Sequence, residues 1–114
     1  MTTVTFHQRN GRMDGVVVDG HSGYADAGSD IVCAAISSAV GLLECTLNEV
    51  LGLSAPTRVK EEEAHLSLRL PAGLSQENEH TSQNLMDGLL VYLQVLSQES
   101  PANLIVLLDA DDED

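Results

Sequence analysis

The first twenty residues contain two short runs that favour β-strands. Residues 2–8 include TVTF, in which β-branched and other residues alternate, residues 12–20 include the β-rich run VVVDG, and Asn10-Gly11 stands between the two runs. An Asn-Gly pair between two such runs favours a two-residue turn, since both residues tolerate a positive φ. The pattern predicts an antiparallel hairpin of two strands.

A helical period follows, from Asp30 to about Gly52. Asp30 is a good N-cap and Gly52 is suited to end the helix. The apolar side chains recur on one face and predict its buried stripe: Val32, Ile36, Ala39, Leu43, Leu47 and Val50. Cys33 lies away from that stripe, on a face of small and polar residues that includes Ser37.

The remaining residues predict strands at 58–62 and 64–70, a helix at about 76–98 and a last strand after Pro101. In the strand predicted at 64–70, leucines alternate with polar residues, as in an antiparallel strand with one solvent-exposed face. The order ββαββαβ predicts an α+β fold, with two helices packed on one face of a mostly antiparallel sheet. We expect one domain over residues 1–108, followed by an acidic, solvated tail over residues 109–114.

The net charge of the chain limits the classes of molecule that it is expected to bind. The 114 residues carry a net charge of −13, which argues against nucleic acid and anionic membrane surfaces and suits a basic peptide or protein. The sequence shows neither an export signal nor an uninterrupted apolar run of about 18 residues. We therefore expect a cytoplasmic protein with reduced thiols, no membrane association and no cofactor.

The stretch between the hairpin and the helix combines His21, three glycines and Cys33. With Asp30 as N-cap, Cys33 would be the third helical residue, where free N–H groups and the helix dipole favour a thiolate and could hold an oxyanion. A histidine across the loop could serve as its base. These arguments from residue type and spacing leave open the alternative that Cys33 is a structural cysteine and His21 an ordinary loop histidine. A metal site with His7, His65 or His80 lacks paired ligand spacing, so we expect none.

Residues 20–37 read GHSGYADAGSDIVCAAIS. This run resembles the signature of the ribosomal-processing cysteine protease family, Prp (YsxB-like), with the spacing from histidine to cysteine intact. The length of the chain and its predicted element order also resemble that family.

The resemblance implies a cytoplasmic cysteine endopeptidase that removes the N-terminal extension of large-subunit ribosomal protein twenty-seven. It implies Cys33 as nucleophile and His21 as general base and acid, with Asp30 as an orienting residue or only a helix cap, and Ser37 as an auxiliary group or only a solvated serine. It further implies a homodimer and a loop that contacts substrate through Gly20, Ser22, Gly23, Tyr24, Asp26 and Gly28. The alternative is a non-catalytic ribosome-assembly or peptide-binding module.

Overall fold

The computed structural model describes residues 1–20, 27–60 and 65–111, with the backbone alone for residues 27–30 and 111. The elements follow the predicted order ββαββαβ. The strands are β1 (Thr2–Arg9), β2 (Arg12–Asp19), β3 (Thr57–Lys60), β4 (His65–Arg69) and β5 (Leu104–Asp111). The helices are α1 (Ala27–Cys45), which runs on into a π-helical turn at Thr46–Val50, and α2 (Gln76–Glu99).

The five strands form one sheet in the order β3-β4-β2-β1-β5. Every neighbouring pair is antiparallel except β1 and β5, which run parallel. The prediction of a mostly antiparallel sheet is therefore confirmed. The first hairpin turns where the sequence predicts, with φ of 54° at Asn10 and 78° at Gly11. Positive φ at both residues matches the right-handed twist of the strands that they join.

The core lies between the helices and one face of the sheet. Along β1 the side chains of Thr2, Val4 and Phe6 are buried, while the alternate residues are half-buried. By length and mean hydropathy (1.6), Ile31–Val50 could cross a membrane. Five apolar residues of this segment are buried in the core: Val32, Ile36, Val40, Leu43 and Leu47.

Two details of α1 differ from prediction. The helix begins at Ala27, three residues before Asp30, so the prediction that Asp30 caps it is wrong. Near its other end, the N–H of Leu51 donates to the carbonyl of Thr46, five residues earlier, at 2.9 Å. This wider turn changes the phase of the helix, and Val50, predicted to be buried, is 74% exposed.

Side-chain hydrogen bonds fix α2 to the first hairpin. Gln83 both accepts from the N–H of Met13 at 2.9 Å and donates to its carbonyl at 2.8 Å. Arg12 donates to Glu79 at 2.6 Å and 3.1 Å, using two nitrogens of its guanidinium. The helix is thereby held against the start of β2.

The last strand is longer than predicted. Asp109 and Asp111 lie within β5, opposite His7 and Arg9 of β1, and the ring of His7 forms an ion pair with Asp109 at 3.2 Å. The predicted tail over 109–114 is therefore wrong for its first three residues, because the parallel ladder with β1 continues through them. Residues 112–114 lie outside the described part of the chain.

Candidate active site

Cys33 is the seventh residue of α1 and is half-buried. Its side chain lines a cavity of about 290 Å³ between α1 and the sheet. Four further residues of the helix form the same wall: Ala34, Ile36, Ser37 and Val40. The structure thus brings the predicted nucleophile and the predicted auxiliary Ser37 to one cavity.

The floor of the cavity crosses the strands. Val18 of β2 lies opposite Leu66 of β4, which lies opposite Val59 of β3, and Thr2 of β1 lines the inner end. Four adjacent strands span about 14 Å, which corresponds to about four residues of an extended peptide. Because β3 is an edge strand and Val59 is 57% exposed, the cavity opens at the side of the sheet and leads inward to the thiol.

Thr2 is a site residue that the sequence analysis missed. Its hydroxyl oxygen lies 3.6 Å from the sulfur of Cys33, and its side chain is only 2% exposed. The available signal was weak. Thr2 alternates with Val4 and Phe6, so it occupies an inward position of β1, where a hydroxyl needs a partner.

Gly20 is the one predicted loop residue whose surroundings the structure describes. Its φ is +82°, and a Cβ there would lie 3.1 Å from the carbonyl oxygen of Met1. Both facts require glycine. The segment that begins β1 therefore touches the end of β2, where the chain enters the predicted loop, as well as the thiol of Cys33.

The other predicted site residues fall outside this description. His21, Ser22, Gly23, Tyr24 and Asp26 lie outside the described residues, as do the side chains of Gly28 and Asp30. Their predicted roles stay predictions.

The prediction that Cys33 is the third residue of its helix is wrong. Because α1 begins at Ala27, the N–H groups without helical partners belong to residues 27–30, about 4.5 to 9 Å from Cys33 along the axis. The helix dipole acts mainly within the first turn. Neither feature reaches the thiol as it would at the third helical residue.

A second histidine lies at the rim of the cavity. His65 lines it together with Lys60, and Nδ1 of His65 is 2.5 Å from a carboxylate oxygen of Asp19. A histidine oriented by a carboxylate is familiar from catalytic triads. However, Leu66 points to the covered face of the sheet with Val18, so the strand's alternation turns the ring of His65 to the open face with Asp19. The pair therefore anchors the end of β2, and His65 reaches the cavity only at its rim.

The two cysteines differ in their surroundings. Both are free, but Cys45 is exposed whereas Cys33 is half-buried. No group of three or more metal-ligating side chains occurs among the residues that the structure describes.

A sequence model of a known family, "Cysteine protease Prp", matches residues 1–105. The chain belongs to the cysteine protease Prp family. It is therefore a cysteine-type endopeptidase, and the alternative of a non-catalytic binding module is not supported. No curated protein shows a significant sequence match to the chain.

Solved structures share the Prp fold of this chain. SMU.848 from Streptococcus mutans is 24% identical with a TM-score of 0.85, covering 97% of this chain and 96% of its own. An essential ribosomal processing protease Prp from S. aureus, in complex with a substrate peptide, is 22% identical with a TM-score of 0.82, covering 96% and 100%. The same S. aureus protease with a covalently linked product peptide is 24% identical with a TM-score of 0.73 and the same coverage.

Proposed function

We propose that this protease removes the N-terminal extension of large-subunit ribosomal protein twenty-seven in the cytoplasm, with Cys33 as nucleophile and His21 as general base and acid. The observation that carries the proposal is the position of Cys33, whose half-buried thiol lines an apolar cavity that opens at the edge of the sheet. The S. aureus protease that shares the fold acts on a ribosomal substrate and was solved with a substrate peptide.

The proposed reaction uses the thiolate of Cys33. Its sulfur attacks the carbonyl carbon of the scissile peptide bond, and His21, having taken the thiol proton, donates it to the departing amine. The C–N bond breaks and leaves a thioester on Cys33. A water molecule, deprotonated by His21, then attacks the thioester and releases the acid product and the thiol.

The cavity supports a binding mode for the substrate. About four extended residues on one side of the scissile bond fit between the sheet edge and the thiol. Their side chains would face Val18, Leu66 and Val59, so apolar residues at alternate positions would bind best. This binding mode leaves the predicted loop to cover the other side of the peptide.

The remaining site residues take secondary roles in the proposal. Asp30 is proposed to orient His21, since its alternative role as helix cap is wrong. Ser37 is exposed and lines the same cavity as Cys33, which suits a hydroxyl that contacts substrate or solvent near the thiol. The loop residues that begin with Gly20 are proposed to contact the peptide.

We also propose that the protease is a homodimer. Its outer helix surface supports this, because α1 and α2 form a groove lined by apolar residues and bordered by Leu42 (70% exposed) and Tyr92 (47% exposed). An exposed apolar patch of this kind is typical of an association surface. Light scattering should give twice the chain mass, and Leu42→Lys should give the mass of one chain. A single-chain mass for the unaltered protein would contradict the homodimer.

The function is tested with the precursor and mature forms of the ribosomal protein. Mass measurement should show that the precursor alone loses its extension, at one site, and that Cys33→Ala prevents this. An intact precursor after prolonged incubation with enzyme that still alkylates at Cys33 would contradict the proposed substrate.

A further inference from the structure

Because α1 begins earlier than the sequence predicts, the thiol of Cys33 does not meet the free N–H groups at the helix start that were predicted to stabilise its thiolate. The free N–H groups of the first turn lie too far along the helix. A nucleophilic cysteine reacts as its thiolate, and a hydrogen-bond donor close to the sulfur favours that form. The described polar side chain that meets the sulfur is Thr2, at 3.6 Å.

We infer that Thr2 is a positioning residue for the nucleophile: its hydroxyl donates a hydrogen bond to the thiolate of Cys33 and so favours the charged form. The inference rests on the proposed role of Cys33. It adds to that role by naming the residue that hydrogen-bonds to the sulfur from the sheet side of the cavity.

Thr2 is held firmly enough for this task. Its backbone N–H donates to the carbonyl of Asn103 at 2.9 Å, and its side chain is 2% exposed. A β-branched side chain has few rotamers, so the hydroxyl stays in one place. A donor that is already oriented stabilises charge without first being reorganised.

Ser82 offers a contrast. Its hydroxyl is also buried, yet it has no hydrogen-bond partner within the described part of the chain. Burial of a hydroxyl in this protein is therefore not by itself a sign of function. What distinguishes Thr2 is the sulfur that its oxygen meets and the cavity that both of them line.

The test measures how the rate of alkylation of Cys33 by iodoacetamide depends on pH, in a Cys45→Ser background because Cys45 is exposed. Thr2→Val keeps the shape of the side chain and removes the donor, while Thr2→Ser keeps the donor. Thr3→Val is the matched control, since Thr3 follows Thr2 on the same strand and is not buried with it.

We expect Thr2→Val to raise the pH midpoint of alkylation by about one unit, with a rate about tenfold lower at pH values below the midpoint. Thr2→Ser should restore the midpoint, and Thr3→Val should leave it unchanged. A role in packing alone predicts the reverse order, with Thr2→Val normal and Thr2→Ser impaired. That order, or an equal midpoint in Thr2→Val and Thr3→Val, would overturn the inference.

Two further readouts keep the conclusions separate. Thermal unfolding shows whether each variant is folded, and Thr2→Ala supplies a second donor-free variant if Thr2→Val does not fold. With a cleavable peptide, Thr2→Val should lower kcat more than it raises KM. A shifted midpoint together with an uncleaved precursor supports the role of Thr2 and overturns only the proposed substrate. Cleavage of the precursor with an unshifted midpoint overturns only the role of Thr2.

Discussion

The two faces of the sheet are built from the same strands but differ in chemistry. The covered face supplies the floor of the cavity, and its residues there are apolar: Val18, Val59 and Leu66. The residues next to them in each strand belong to the open face and are charged or titratable: Asp19, Lys60 and His65. A shallow depression of about 670 Å³ on that open face is lined by three arginines, two histidines and two aspartates.

This difference follows from the period of two in a β-strand, which sends neighbouring residues to opposite faces. It means that closeness along the chain says little about access to the thiol. His65 and Leu66 are adjacent, yet Leu66 pairs with Val18 on the covered face, whereas His65 pairs with Asp19 and reaches the cavity only at its rim. The proposed binding and chemistry lie on the covered side, whereas the contact between His65 and Asp19 lies on the open side.

The largest effect should come from the thiol itself. Cys33→Ala should lower kcat for the precursor by at least about 10⁴-fold, since it removes the nucleophile of a unit whose members act together. The matched control is Cys45→Ala on the same helix, which should retain full activity because Cys45 lies outside the cavity. Equal losses in both variants, measured by single-turnover kinetics, would show that the covered-face cavity is not the reaction site.

The histidines give the next largest effect and test the division between faces directly. His21→Gln should lower kcat by about 10²- to 10⁴-fold, as expected for loss of a general base. His65→Gln should change kcat less than about threefold, since glutamine keeps a hydrogen bond to Asp19 and the ring is turned to the open face.

The opposite ranking of the two histidine variants would make His65 and Asp19 the catalytic pair. A double variant, Cys33→Ala with His21→Gln, adds a check. It should lose scarcely more activity than Cys33→Ala alone, because the two residues act as one unit.

The fold was largely predictable because its signals are local. Alternation predicted β1 and β4, a β-rich run predicted β2, the Asn10-Gly11 pair predicted the hairpin, and helical periodicity predicted α2 almost to the residue. The prediction of Cys33 and His21 as the catalytic pair came from the motif at residues 20–37 rather than from periodicity, and it stays a prediction. Both kinds of signal lie within short stretches of the chain.

The errors arose where tertiary contacts decide the outcome. Asp30 has the chemistry of an N-cap, but α1 begins earlier. The exposure of Val50 follows from a π-helical turn that no sequence period announced. The contact of Thr2 with Cys33 joins residues 31 positions apart, so it depends on how α1 lies over β1. Local patterns contain no information on that distance.

A smaller effect should come from the floor of the cavity. Val59→Asp puts a carboxylate among apolar residues and should raise KM for the precursor about tenfold while kcat changes little. Val91 is a matched control, since it is 57% exposed like Val59 but lies on α2, away from the cavity. Val91→Asp should leave both constants unchanged. Equal constants for the Val59→Asp and unaltered enzymes would remove the sheet edge from the proposed path of the peptide.

The smallest effect concerns the charge of the whole molecule. With eighteen acidic and five basic residues, the protease should attract the basic N-terminal region of its substrate. This attraction weakens over a Debye length of about 10 Å at 0.1 M salt. We expect kcat/KM to fall about threefold between low and physiological salt while kcat stays nearly constant, because attraction acts on encounter.

The open face sharpens this prediction, since Arg58 and Arg69 lie there beside aspartates and offset their charge, so that most of the acidic attraction should act from the rest of the surface. A substrate peptide with acetylated lysines is the matched control and should lose the salt dependence. Deleting residues 112–114 removes three of the eighteen acids and should reduce kcat/KM by less than the salt does, because charges at a chain end are well screened. If kcat/KM for the unmodified peptide does not depend on salt, the prediction of attraction by net charge is contradicted. The proposed chemistry on the covered face would be unaffected by that result.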